Sequence, residues 1–186
     1  MSVRNLDKLF GPRSVALIGA TPRPGAVGAL VTRNLRRAGF AGELMLVNPH
    51  HSTIDGLAVH PNVASLPQVP DLAIIITPPE TIPPLIGELG ERGTRAAVVI
   101  TAGFGELGVR GRSLQQAALT AARPYLLRIV GPNCLGIMVP ALGLDATFSH
   151  LAAPAGHIAF VSQSSIAVII APDWLIKAMC PSGAAR

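Results

Sequence analysis

The segment Ser14–Gly28, S-V-A-L-I-G-A-T-P-R-P-G-A-V-G, constrains this chain more than any other. An apolar, β-branched run stops at a glycine-rich turn, and the turn opens a pattern of helical period. Strand, glycine loop and helix start in that order make a cradle for phosphate, because free backbone N–H groups and the positive end of the helix dipole meet there. Gly19 permits the tight turn, while Gly25 and Gly28 let a pyrophosphate and the facing strand come close. The spacing departs from G-x-G-x-x-G, since five residues, two of them proline, separate Gly19 from Gly25. The same segment is also compatible with an ordinary βα turn that holds no ligand.

The second strand, Glu43–Val47, leads to the position where a nicotinamide-dinucleotide fold carries an acid for the ribose hydroxyls. This chain has Asn48-Pro49-His50-His51 there, and no Asp or Glu until Asp55. Two imidazoles without a carboxylate suit a ligand with extra phosphate near the ribose, or are simply a solvated loop.

Beyond these segments strand and helix periods alternate. Val27, Leu30, Val31, Leu35 and Ala38 form a helical stripe with Arg36 and Arg37 in its last turn and Gly39 as its stop. G-L-A-V-H-P (56–61) reads as an extended piece, followed by a one-turn helix and a proline-rich loop. Asp71–Thr77 and Ala96–Thr101 read as buried strands. Ile82, Leu85, Ile86 and Leu89 mark a helix ending at Gly93, and Leu114, Ala117, Ala118 and Ala121 mark another. L-R-I-V-G-P-N-C closes the series. Repeated β-α-β units imply right-handed crossovers and an α/β fold, a Rossmann-like doubly wound parallel sheet in a single main domain. The apolar fraction of 49% with only 4% aromatics fits strands buried on both faces by helices.

Composition narrows the function classes. The net charge of +5 is carried by arginine rather than lysine, yet the arginines are scattered, and Arg33, Arg36 and Arg37 sit on the outer face of the first long helix. Aromatics for base stacking are nearly absent, so nucleic acid is not expected as a partner. No apolar run reaches the length of a membrane span, and the N-terminus lacks the apolar core of a secretory signal. The cysteines, Cys134 and Cys180, have neither disulfide nor metal spacing, which fits a reducing cytoplasm and no metal site.

Ligands of doubly wound sheets bind beyond the carboxyl ends of the strands, at the topological switch point. The residues there are Gly19-Ala20-Thr21, Asn48-Pro49, Thr77-Pro78-Pro79, Thr101-Ala102-Gly103 and Gly131-Pro132-Asn133-Cys134. All five loops are rich in Gly, Pro, Thr or Asn, which shape backbone around a ligand and offer short hydrogen-bonding groups.

The loops resemble those of the CoA-binding domain of NDP-forming acyl-CoA synthetases, relatives of the succinyl-CoA synthetase α subunit that also occur fused to acetyltransferases. The resemblance runs from about Leu6 to Gln163. It rests on V-A-L-I-G-A-T-x-x-P-G-x-V-G (15–28), V-N-P (47–49), T-P-P (77–79), V-V-I-T-A-G-F-G-E (98–106) and G-P-N-C-L-G (131–136). It implies coenzyme A, or an acyl-CoA, as ligand. Gly19, Thr21, Arg23, Gly25 and Gly28 would cradle the pyrophosphate. Asn48 and Pro49 of the V-N-P motif would also bind the ligand, with His51 in place of a family lysine that contacts CoA. Thr77, Pro78, Pro79, Ile100, Thr101 and Ala102 would line the pantetheine route, and Asn133 and Cys134 would lie near its thiol end. No catalytic residue is assigned, since nothing pairs Cys134 with a His–Asp relay.

The resemblance implies a CoA-binding domain over residues 1–150 and, over 151–186, the start of a flavodoxin-like ligase domain, with H-I-A-F-V-S-Q-S-S (157–165) as its first strand and loop. The family's phosphohistidine and nucleotide-grasp domain have no counterpart in the 186 residues, and the tail reads as a truncation or shifted frame. The expected role is therefore CoA binding without turnover by the chain alone, with ligase and ATP-grasp domains or a subunit as partners. The apolar S-I-A-V-I-I-A (165–171) is expected to be poorly anchored or to mediate dimerisation. A stand-alone CoA- or nucleotide-sensing module, an NAD(P)-binding redox domain and a non-functional remnant remain as alternatives.

Overall fold

A computed structural model describes residues 4–154 and 156. Nine strands are present among them: β1 (Ser14–Ile18), β2 (Glu43–Val47), β3 (Thr53–Ile54), β4 (Leu57–His60), β5 (Leu72–Ile75), β6 (Ala96–Val99), β7 (Arg128–Val130), β8 (Gly136–Val139) and β9 (Leu144–Thr147). The helices are α1 (Leu6–Phe10), α2 (Val27–Ala38), α3 (Ile82–Arg92) and α4 (Gly108–Ala122).

The first seven strands form one sheet in the order β3-β4-β2-β1-β5-β6-β7. Every pairing within it is parallel except the edge hairpin of β3 with β4. Leaving out β3, this is the doubly wound order of a Rossmann fold. Residues Met1–Ala152 make one compact unit. The segment from His157 on, expected to begin a second domain, lies outside the described residues.

Strand parity divides the core. Val15 and Leu17 of β1, Leu72 and Ile74 of β5 and Ala96 and Val98 of β6 face Val31 and Leu35 of α2. Ala16 and Ile18, Ala73 and Ile75, Ala97 and Val99 face the other way, onto Ile82, Ile86 and Leu89 of α3 and Ala118 and Ala122 of α4. Both faces are covered, so these strands read as unbroken apolar runs. The chain passes from one face to the other between β1 and β5, which makes their carboxyl ends the switch point.

The helix ends follow from their glycines. Gly39 stops α2 at φ 74° and donates its amide to the Arg36 carbonyl, and Gly93 stops α3 at φ 112°. Arg33, Arg36 and Arg37 are exposed on α2, as expected. Two features depart from the sequence reading. Residues 61–66 form turns rather than a one-turn helix, because the Asn62 side chain accepts the Ser65 amide at 2.9 Å and competes with helical bonding. After β7 the chain adds β8 and β9, an antiparallel hairpin that lays Ile137, Leu144 and Ala146 on the α2 face. Asn34 of α2, fully buried, donates through Nδ2 to the carbonyls of Thr147 and Ser149, both at 2.8 Å, and so fastens that hairpin.

Candidate ligand-binding site

Parallel register brings the strand ends level. Ile18 of β1 lies opposite both Val47 of β2 and Ile75 of β5, and Ile75 lies opposite Val99 of β6. The loops that leave these ends are joined by hydrogen bonds into a continuous rim. Between the β1 and β2 loops, Gly19 donates its amide to the Val47 carbonyl at 3.0 Å, and Asn48 donates Nδ2 to the Ala20 carbonyl at 2.7 Å. Between β1 and β5, the Ile76 amide donates to the Ile18 carbonyl at 2.9 Å. Between β5 and β6, the Thr101 hydroxyl donates to the Thr77 carbonyl at 2.8 Å. Between β6 and β7, the Asn133 amide donates to the Thr101 carbonyl at 3.0 Å, and the Cys134 thiol to that of Val99 at 3.3 Å.

The glycine loop separates structural from open positions. Gly19 has φ 98°, and a side chain there would press on the Ile76 carbonyl. A Cβ on Gly28 would collide with the Gly19 carbonyl, so this glycine serves the packing of helix on turn. Gly25, at φ 78°, has open space around its would-be Cβ, which leaves backbone accessible from outside. Thr21 spends its hydroxyl on the loop, accepting the Arg23 amide at 3.3 Å. The N-cap of α2 is Ala26, whose side chain caps nothing, and the first turn holds no acid. Its leading amides and the dipole therefore point, uncompensated, to the rim.

Around that helix start, Arg23, His50 and His51 are exposed, and the Asn48 Oδ1 accepts the His50 amide at 2.7 Å to shape the loop after β2. Pro49 and Pro78 are exposed, and Thr77 and Pro79 half-buried. Ile100 is buried in the α2-side core, so it presents backbone rather than side chain to the rim, whereas Ala102 is exposed. At the far end Gly131–Pro132 is a cis peptide and Asn133 is exposed at φ 55°. Burial pushes the half-buried Cys134 thiol above its ordinary pKa, offset only in part by nearby backbone amides. At neutral pH it is a packed thiol rather than a thiolate.

All sixteen residues expected from the sequence stand along this one edge of the sheet. Three further contacts share it. The Thr81 hydroxyl is hydrogen-bonded to the Thr77 hydroxyl at 2.8 Å, Arg110 pairs with Glu80 at 3.1 Å, and Glu106 accepts the Gly103 amide at 2.6 Å. Only the last left a local trace in sequence, an acid three residues after a glycine that opens a helix. Among the described residues no group of three or more His, Cys, Asp or Glu is placed to hold a metal, and no helix is long and apolar enough to cross a membrane.

Known proteins share this sequence and this fold. The family described as CoA binding domain matches residues 13–140. An ADP-forming acetate–CoA ligase of Archaeoglobus fulgidus is 40% identical over 91% of this chain and 24% of its own length. The α subunit of an ADP-forming acetate–CoA ligase of Pyrococcus furiosus is 35% identical over 92% of this chain and 38% of its own. This chain thus spans 24% and 38% of the length of these curated relatives. A solved structure from Pyrococcus horikoshii superposes with a TM-score of 0.81 at 38% identity, over 86% of this chain and 36% of that one. The chain belongs to the CoA binding domain family, in the form found in ADP-forming acyl-CoA synthetases.

Proposed function

We propose that this chain binds coenzyme A along the rim and serves as the CoA-binding portion of an ADP-forming acyl-CoA synthetase. The observation that carries the reading is the uncapped, acid-free start of α2 behind the open backbone at Gly25, beside a β2 loop with imidazoles where a dinucleotide fold has an acid. The pyrophosphate lies on Gly19–Gly28 with Arg23 above it. The phosphorylated ribose lies toward Asn48, Pro49 and His51. The pantetheine arm crosses Thr77–Pro79 and Ile100–Ala102, and its thiol arrives near Asn133 and Cys134.

The chemistry divides accordingly. This rim supplies binding and orientation of the thiol, and Cys134 forms no covalent bond with substrate. The phosphohistidine and the nucleotide-binding fold come from partner domains or a partner subunit, in a reducing cytoplasm. In thioester synthesis the partner's phosphohistidine, charged from a nucleoside triphosphate, would phosphorylate the acid, and the CoA thiol would then displace inorganic phosphate from the acyl phosphate; the reverse sequence would pass the phosphoryl group to a nucleoside diphosphate.

Isothermal titration calorimetry against CoA, acetyl-CoA, NADH and ATP tests the reading. Binding of CoA and acetyl-CoA is expected, with none of NADH. Binding of NADH without CoA refutes it.

A further inference from the structure

The loop after β6 carries an anion of its own. The Glu106 carboxylate accepts the Gly103 amide at 2.6 Å. Nearby backbone amides, that of Gly103 foremost, hold the Glu106 carboxyl below the usual carboxylate range.

The clamped turn is tied to both of its surroundings. Gly103, at φ 107°, sits so close to Pro79 that a Cβ there would approach the ring at 2.9 Å. Phe104 is buried, and its carbonyl lies where a Cβ on Gly111 would stand, which seats α4 on the turn. Thr101 reaches the Thr77 carbonyl, and Arg110 reaches Glu80. Releasing Glu106 would therefore free Thr101–Gly103 from Thr77–Pro79, with no direct effect on the glycine loop after β1.

We propose that Glu106 is a positioning residue. By holding the Gly103 amide, next to Pro79, it keeps the two loops at the spacing that admits the slender, uncharged, amide-bearing arm of the ligand. The proposal rests on the CoA reading above and deepens it by giving one side chain a part in placing the ligand's arm.

The test compares CoA with its headgroup fragment 3′-phosphoadenosine 5′-diphosphate by calorimetry, on the full chain and on Glu106→Gln and Glu106→Asp. Glu106→Gln should weaken CoA about tenfold and change the fragment less than about twofold. Its unfolding midpoint should stay within about 2 °C of the parent. Glu106→Asp, which keeps the charge on a shorter arm, should fall between the two and decides the matter should the Gln variant fail to fold. Equal loss for both ligands, or no loss for either, overturns the positioning role while leaving the CoA reading intact. Binding of neither ligand by the parent chain overturns both.

Discussion

Asn48 donates its side-chain amide to the Ala20 carbonyl at 2.7 Å, so a side chain as well as the backbone holds the loop after β2 against the glycine loop after β1. The same side chain accepts the His50 amide through Oδ1, and one residue thus sets both the spacing of two loops of the rim and the turn that presents His50 and His51. An Asp at this position accepts the second bond but cannot donate the first.

Asn48→Asp should therefore weaken CoA by at least tenfold. The new carboxylate would face the ligand's ribose phosphate and leave the Ala20 carbonyl without its donor, at a stability cost of about 1 kcal/mol. Dephospho-CoA, which lacks that phosphate, should lose less. Calorimetry on both ligands measures the difference. An equal loss would mean that the ribose phosphate lies elsewhere.

Gly25 and Gly28 should respond differently to a side chain. Gly25→Ala meets no neighbouring atom but is strained at φ 78°, at about 1–2 kcal/mol, and should abolish most CoA binding in a chain that still folds. Gly28→Ala drives its Cβ into the Gly19 carbonyl and should cost about 2–3 kcal/mol, seen first as a lowered unfolding midpoint. A Gly28 variant of parental stability would show that α2 can shift away from the turn.

Asp71 ties the opposite end of the sheet. It accepts Lys8 Nζ at 2.8 Å and the Arg13 amide at 2.9 Å, and its own amide donates to Ser14 Oγ at 3.0 Å. Burial pushes its carboxyl up, but the hydrogen bonds and charges of Lys8 and Arg13 outweigh this and leave it below the ordinary value. A carboxyl lowered in the folded state stabilises fully above its unfolded pKa of about 3.9, and the contribution is lost as pH falls through the folded value. Asp71→Asn should therefore be less stable than the parent by roughly 1–2 kcal/mol at pH 7, with the gap closing below about pH 4. Urea unfolding across that range checks the sign, and a gap that widened in acid would contradict it.

The raised Cys134 thiol should alkylate slowly. Iodoacetamide labelling at pH 7.5, read peptide by peptide, should find Cys134 several-fold slower than an unstructured thiol of pKa about 8.5, with the rate climbing on raising the pH. Cys134→Ala should keep CoA affinity within about threefold, because the thiol's hydrogen bond is spent on the Val99 carbonyl and the Asn133 amide still ties this loop to Thr101. Fast labelling at pH 7.5 would reveal an activated thiolate.

Local chemistry made much of this protein legible from its sequence. The runs at β1, β5 and β6 are apolar throughout because both of their faces are covered, and such runs are hard to read as anything but interior strands. The stripes of α2 and α3 end at glycines that alone take the left-handed turn without strain, so those helix ends were marked as well. Once the alternation implied a doubly wound sheet, the candidate loops followed from their place just after each strand, while Arg23, His51 and Ile100 came from the family resemblance. Other features depended on contacts between residues far apart. The β8–β9 hairpin is two short strands whose apolar positions make sense only against α2, and Asn34, polar in the middle of a helix, is buried because Thr147 and Ser149, more than a hundred residues on, offer it carbonyls. Gly28 looked open to a ligand until the Gly19 carbonyl was found over it, and Ile100 looked like a site side chain until strand parity turned it into the core. Glu106 stood in a motif without a role until the folded turn aimed the Gly103 amide at its carboxylate. Periodicity and turn chemistry act over a few residues, and so the sequence by itself determined the elements and the loops that end them. Which face each residue meets, and which polar group finds a partner, was decided only when the tertiary structure brought distant segments together.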